Sequence, residues 1–186
     1  MKVSGLKDRH SQRLLFDEPL GNHGHVRTLV GDWTEDLIAR LMGWVRHKTD
    51  CRCDYCPDLS DEAGHYVETK AAGKTNQTFV YSGRLAKDRK FVDAGHRLTY
   101  AVLHHGCKTK RYDMREELRE AWLRSLRCLY LIPFDDFEAI TLSREEKPLN
   151  SKYGNPTYGA GYRIPLSLLE KFKTLDLTRV QLWPKA

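Results

Sequence analysis

Apolar positions along this chain change rhythm several times, and each change predicts an element. Ile38, Leu41, Met42 and Val45 recur at helical spacing just after Asp32-Trp33-Thr34-Glu35. An acid followed three residues later by glutamate satisfies the open N–H groups of a first helical turn. The spacing therefore predicts a helix that opens at Asp32 and buries one face. Upstream, residues 1–30 carry few periodic apolar positions and many Gly, His and charged residues, so an extended N-terminal arm is expected there. Arg52–Ser60 and His65–Ala71 read as the two arms of a β-hairpin turning through Asp61-Glu62-Ala63-Gly64. A helix is expected over Thr78–Ala94, and a buried strand over the apolar run Leu98–Leu103. Asp113 and Glu116 repeat the capping pattern, with Met114, Leu118, Ala121, Trp122 and Ser125 along one side of the helix that follows. Cys128–Ile132 reads as another buried strand, halted by Pro133. Tyr153–Tyr162 is expected to be a loop and Pro165–Phe172 a short closing helix. The order predicts a single α/β domain over residues 31–186, a mixed sheet flanked by helices.

Composition narrows the class. The chain has 186 residues, of which 40% are apolar, enough for one domain with a real core. No apolar run approaches the roughly 20 residues of a membrane span, so no membrane partner is expected. Met1–Asp8 has no apolar signal-peptide core, and the five cysteines are an odd number. A cytoplasmic, reducing location is the resulting expectation. The formal net charge of +6 favours polyanionic partners, because basic side chains displace counterions from phosphate backbones.

The hairpin carries the candidate chemistry. With its turn at Asp61–Gly64, Asp58 falls nearly opposite Glu68 on the neighbouring strand. Glu68 and Lys70, two apart on one strand, project from the same face. Two carboxylates and one ammonium are thus expected on one patch of sheet. Phosphodiester hydrolysis uses such a set, since Mg²⁺ takes one or two carboxylates and leaves positions for water and phosphate. A lysine beside the metal orients that water and stabilises developing negative charge.

Tyr55-Cys56-Pro57-Asp58-Leu59, then Tyr66-Val67-Glu68-Thr69-Lys70 after the turn, resembles the signature of the PD-(D/E)xK nucleases. It is similar in particular to the corresponding segment of phage junction-resolving endonucleases and transposon-end-cutting nuclease subunits. The resemblance covers roughly residues 31–105. It implies a restriction-endonuclease-like fold, a Mg²⁺ cofactor and DNA as substrate. It also implies that Glu35, on the preceding helix, joins Asp58 and Glu68 on the metal, with Lys70 catalytic. The expected activity is that of an endonuclease of the restriction, homing or junction-resolving type, and a homodimer or higher homo-oligomer would be needed to cut both strands.

Other residues compete or assist. Asp54, four residues before Asp58 and on the same strand face, is an alternative metal ligand. Cys51, Cys53 and Cys56 with His65 offer a Cys₃His zinc set, which would make the chain a non-catalytic nucleic-acid-binding module instead. Lys74, Asn76 and Gln77, past the candidate strand, and the basic run Lys108, Lys110, Arg111 and Arg115 are expected nucleic-acid contacts. Tyr153, Tyr158 and Tyr162 are expected to pack against the sheet, and His104-His105 to form a polar strand end.

Overall fold

The computed structural model describes residues 23–47, 56–109, 112–148 and 160–178. Its elements in chain order are α1 (His23–Met42), β1 (Val45–Arg46), β2 (Leu59–Ser60), β3 (His65–Ala72), β4 (Gln77–Tyr81), α2 (Ser82–Asp93), β5 (Arg97–His105), α3 (Arg115–Arg124), β6 (Leu126–Pro133), α4 (Phe134–Leu142), β7 (Lys147–Pro148), β8 (Ala160–Pro165) and β9 (Lys173–Asp176). Six strands form a mixed sheet in the order β1-β2-β3-β5-β6-β9, and three form a small antiparallel sheet in the order β4-β8-β7. The protein is thus of mixed α/β class. Among the described residues no helix is long and apolar enough to cross a membrane.

At the centre, β3 and β5 run parallel, with His65 opposite Arg97 through Ala72 opposite His104. Parallel neighbours need a crossover connection, and β4 with α2 supplies it. Alternation then divides two cores between the sheet's faces. Ala101 and Leu103 face one way and pack, with Val67 and Leu129, under α1 and α3; there Trp33 and Trp122 lie 5.8 Å apart. Tyr100 and Val102 face the other way and pack, with Ala72, Tyr130 and Ile132, against Val80, Phe137 and Ile164.

The hairpin's turn forms where expected, closed by the Gly64 amide on the Asp61 carbonyl and the His65 amide on Asp61 Oδ1 at 2.8 Å; of the expected first arm only Leu59–Ser60 is strand, and residues 52–55 lie outside the described residues. Gly64 has φ of +74°, a left-handed conformation that glycine adopts without penalty. The expected strands over Leu98–Leu103 and Cys128–Ile132 are β5 and β6.

Several boundaries differ from expectation. α1 begins by His23 rather than at Asp32, because Val26, Leu29, Val30 and Trp33 are all buried and extend the helical stripe upstream. Residues 23–30 are accordingly helical rather than an extended arm; residues 1–22 lie outside the described residues. Asp32 and Glu35 are interior to the helix, so neither caps it. Thr78–Tyr81 belongs to a strand, since alternating burial of Thr78 and Val80 suits a pleated surface, and the helix starts only at Ser82. α3 starts after Met114 without a side-chain cap, although Leu118 and Trp122 are buried as expected. α4 was not anticipated; Phe134, Phe137 and Thr141 give it a buried face directly after Pro133. Ala160–Tyr162 is strand rather than loop, and Tyr162 packs on the second core. Tyr153 and Tyr158 lie outside the described residues. Pro165–Phe172 resolves into two 3₁₀ turns, Leu166–Leu168 and Glu170–Phe172, that pivot on the buried Leu169.

Gly161 lies under β4 so closely that an added Cβ would stand 2.3 Å from the Phe79 ring and 2.6 Å from the Val80 carbonyl oxygen. Gly161→Ala should therefore destabilise the fold by about 1–3 kcal/mol, read as a lower urea midpoint. His105 is buried against Trp122, and burial, reinforced by His104, lowers its pKa from 6.5 to about 4. The unfolded chain then binds the extra proton first, so this residue's contribution to stability is present above pH 6.5 and is lost as pH falls toward 4. The loss amounts to about 3 kcal/mol. His105→Gln should lack that acid-side decline when denaturation at pH 7 and pH 4.5 is compared with the parent.

Candidate active site

β3 places the site. Its burial pattern sets Val67 and Ala71 toward α1, and Glu68 and Lys70 toward α2 and Tyr100. β2 pairs Leu59 with Val67 and Ser60 with Tyr66, and one further step in that register sets Asp58 opposite Glu68. β2 begins at Leu59, and Asp58, just before it, reaches the neighbouring strand with its side chain. Asp58 Oδ2 accepts hydrogen bonds from the Thr69 amide at 2.7 Å and the Thr69 hydroxyl at 2.8 Å. These two bonds fix the carboxylate against Thr69.

Glu68 is buried, with a side chain only 4% exposed. One oxygen accepts a hydrogen bond from Lys70 Nζ, and the other from Arg84 Nη2 on α2. Lys70 Nζ also donates to the Thr69 carbonyl at 3.0 Å and lies 5.8 Å from the centre of the Tyr100 ring. Arg84 Nε donates to Asp88 Oδ1 at 3.1 Å, one helical turn on, and Asp88 Oδ2 accepts from the Tyr100 hydroxyl. Asp88 is fully buried. Lys70, Glu68, Arg84, Asp88 and Tyr100 therefore form one continuous chain of polar contacts. Burial raises the Tyr100 pKa, and the neighbouring Asp88 charge adds to it.

Glu35 approaches from α1. Arg46 of β1 donates to it at 2.7 Å and also to Asp32 and Asp36, each at 2.8 Å. Burial, and then the charge of Asp58, push the Glu35 carboxyl up to about 7 despite Arg46. Burial likewise pushes Glu68 up to about 7; Lys70 and Arg84 oppose the rise and Asp58 adds to it. Asp58 is thus close enough to disfavour ionisation of both glutamates, one on each side.

Mg²⁺ takes oxygen ligands and commonly only one or two carboxylates, and Asp58 with Glu68 supplies two of that kind. Among the described residues, no three His, Cys, Asp or Glu side chains converge on a metal-sized point as they stand. Lys70 and Arg84 are paired with Glu68, and Arg46 with Glu35. The donor set fits a hard divalent cation in kind, provided an ion pair on Glu68 yields.

The remaining candidates separate. Asn76 occupies the β3–β4 turn at φ 51°, and its Oδ1 accepts a hydrogen bond from His104 Nε2 at 2.9 Å. With Gln77 it lines another cleft, of about 600 Å³, whose walls include neither Asp58 nor Glu68. Lys74 and Lys108 are exposed, just past the C-terminal ends of β3 and β5. Arg115 opens α3 and is half-buried; Lys110 and Arg111 lie outside the described residues. Asp54, Cys51 and Cys53 also lie outside them. Cys56 is a free, half-buried thiol, and His65 Nε2 is engaged with Thr99 Oγ1 at 2.7 Å.

Arg84, Asp88, Tyr100, Thr69 and Arg46 were not singled out from the sequence. The Arg84-x₃-Asp88 spacing was a signal, because residues four apart on a helix meet on one face. No protein-family model matches the chain, and no curated protein is detectably similar to it.

Asp58→Asn should lower the pKa of Glu35 and of Glu68 together, because one charge raises both. Carboxyl-carbon NMR titration of the metal-free protein reads this directly. A shift at only one glutamate would place Asp58 beside that one alone.

Proposed function

We propose that this protein is a Mg²⁺-dependent endonuclease that hydrolyses DNA phosphodiester bonds, of restriction, homing or junction-resolving type. The observation that carries the reading is the buried Glu68 carboxylate held beside Lys70, with Asp58 opposite it across the hairpin. Burying a carboxylate this deeply is costly, and a surface salt bridge does not require it. A carboxylate that serves a hard cation gives that burial a use.

Asp58 and Glu68 would hold the metal, with Glu35 beside them. When bound, Mg²⁺ polarises the phosphoryl group and makes the attacking water more acidic. Thr69 holds Asp58 in place through two hydrogen bonds, so that carboxylate needs little reorganisation. Lys70, anchored by the Thr69 carbonyl and the Tyr100 ring face, orients the water and stabilises charge that develops on the phosphate. Lys74 and Lys108, exposed beyond the ends of the two central parallel strands, are the proposed backbone-phosphate contacts. One site cuts one strand, so double-strand cutting implies a homodimer or a larger symmetric assembly. The free, half-buried Cys56 thiol suits the reducing cytoplasm proposed as its location.

Supercoiled plasmid incubated with Mg²⁺ should be nicked or linearised, and EDTA should stop the reaction. Asp58→Ala and Glu68→Ala should reduce cutting to background while DNA binding persists. Lys70→Ala should slow turnover by about 100-fold or more with little change in binding. A parent protein that leaves plasmid, linear duplex and four-way junction intact would refute the proposal. So would variants at Asp58 and Glu68 that cut at the parental rate.

A further inference from the structure

Glu68 has two oxygens, and a cation of the protein's own holds each. On the nuclease reading above, on which this inference rests, a divalent ion must take at least one of them. Lys70 and Arg84 then compete with that ion for the buried carboxylate, and the structure distinguishes how the two are held.

Lys70 is tied to the patch. It lies two residues from Glu68 on the same strand, donates to the Thr69 carbonyl, and faces the Tyr100 ring. Arg84 instead reaches the site from α2, its side chain is 27% exposed, and it donates to Glu68 from the terminal Nη2. Its Nε is held separately, by the buried Asp88, which Tyr100 holds in turn. Nη2 can therefore leave Glu68 while Asp88 keeps the guanidinium beside the site. Nη2 also lies 3.5 Å from the Cys56 carbonyl, next to the Pro57-Asp58 turn. A guanidinium is a planar fork whose geometry matches phosphate oxygens.

We propose that Arg84 is a stand-in cation, which holds Glu68 in the metal-free protein and passes to a substrate phosphate oxygen when a divalent ion takes that carboxylate. No covalent bond changes in this step; one charge-assisted hydrogen bond is exchanged for another. Two consequences of opposite sign follow. Removing Arg84 removes a competitor for the metal, and it also removes a ligand for the phosphate. A purely structural clamp would weaken both.

The test uses the full chain and two measurements other than cutting. Mn²⁺ affinity is measured by spin resonance without DNA, and binding of a short duplex is measured in Ca²⁺. R84Q should bind Mn²⁺ about tenfold tighter, because a like charge has been removed beside the metal. The same variant should bind duplex about tenfold or more weakly in Ca²⁺. R84K keeps a charge against the buried Asp88 but cannot span Asp88 and Glu68 together; its Mn²⁺ affinity should fall between parent and R84Q. Should R84Q fail to fold, R84K against the parent carries the same comparison. Mn²⁺ affinity that is unchanged or weaker in a folded variant overturns the proposal for Arg84. If the parent binds no Mn²⁺, and D58N changes nothing, the carboxylate site itself is not a metal site, which is the distinct failure of the reading beneath.

Discussion

A carboxylate buried in the middle of β3 organises much of this molecule. Glu68 could not be held there as an anion without partners, since an unpaired charge in a protein interior is strongly disfavoured. Its partners come from two directions: Lys70 along the same strand, and Arg84 from the helix that crosses to β5. That helix is therefore tied to the sheet by a polar link as well as by its apolar residues Leu85, Phe91 and Val92. Asp88 extends the link to Tyr100, on the strand paired with β3. Sheet, crossover helix and candidate site are thereby one mechanical unit.

The same constraint accounts for the opposing charges around the site. Asp58 raises both glutamates, whereas Lys70, Arg84 and Arg46 restrain that rise. Such a balance is close to neutral and poorly suited to stabilising the fold for its own sake. Replacing a buried ionic cluster by apolar residues of similar volume is often neutral or favourable. Packing alone therefore gives little reason for such a cluster in a core strand.

How legible this was from sequence varied with the kind of signal. The hairpin was visible because glycine and aspartate at 61–64 specify a turn, and turn plus alternation set the register of Asp58 against Glu68. β5 and β6 were visible as short apolar runs. α1 was foreshortened because Gly24, His25 and Gly31 dilute its upstream stripe, although Val26, Leu29, Val30 and Trp33 are all buried. Thr78–Tyr81 was absorbed into the following helix because a five-residue strand running straight into a helix leaves no turn signal between them. Arg84 and Asp88 were then hidden inside a helix with the wrong start. Tyr100 was concealed by its apolar neighbours, since a run of buried residues does not say which of them uses a polar end.

The second sheet has a consequence for the order of assembly. β4 belongs to the crossover between the two central strands, yet its pairing partner β8 lies far down the chain, with Gln77 opposite Pro165 and Tyr81 opposite Gly161. Every side chain of the candidate site, from Glu35 to Tyr100, precedes α3 in sequence. During synthesis the N-terminal portion emerges first, and closing a loop as long as the one from β4 to β8 carries an entropic cost that short hairpins avoid. The hairpin and the parallel pair thus have the shorter route to formation, and the edge of β4 stays uncovered until β8 arrives. A nascent chain stalled before residue 160 would expose that edge as a template for pairing with another molecule.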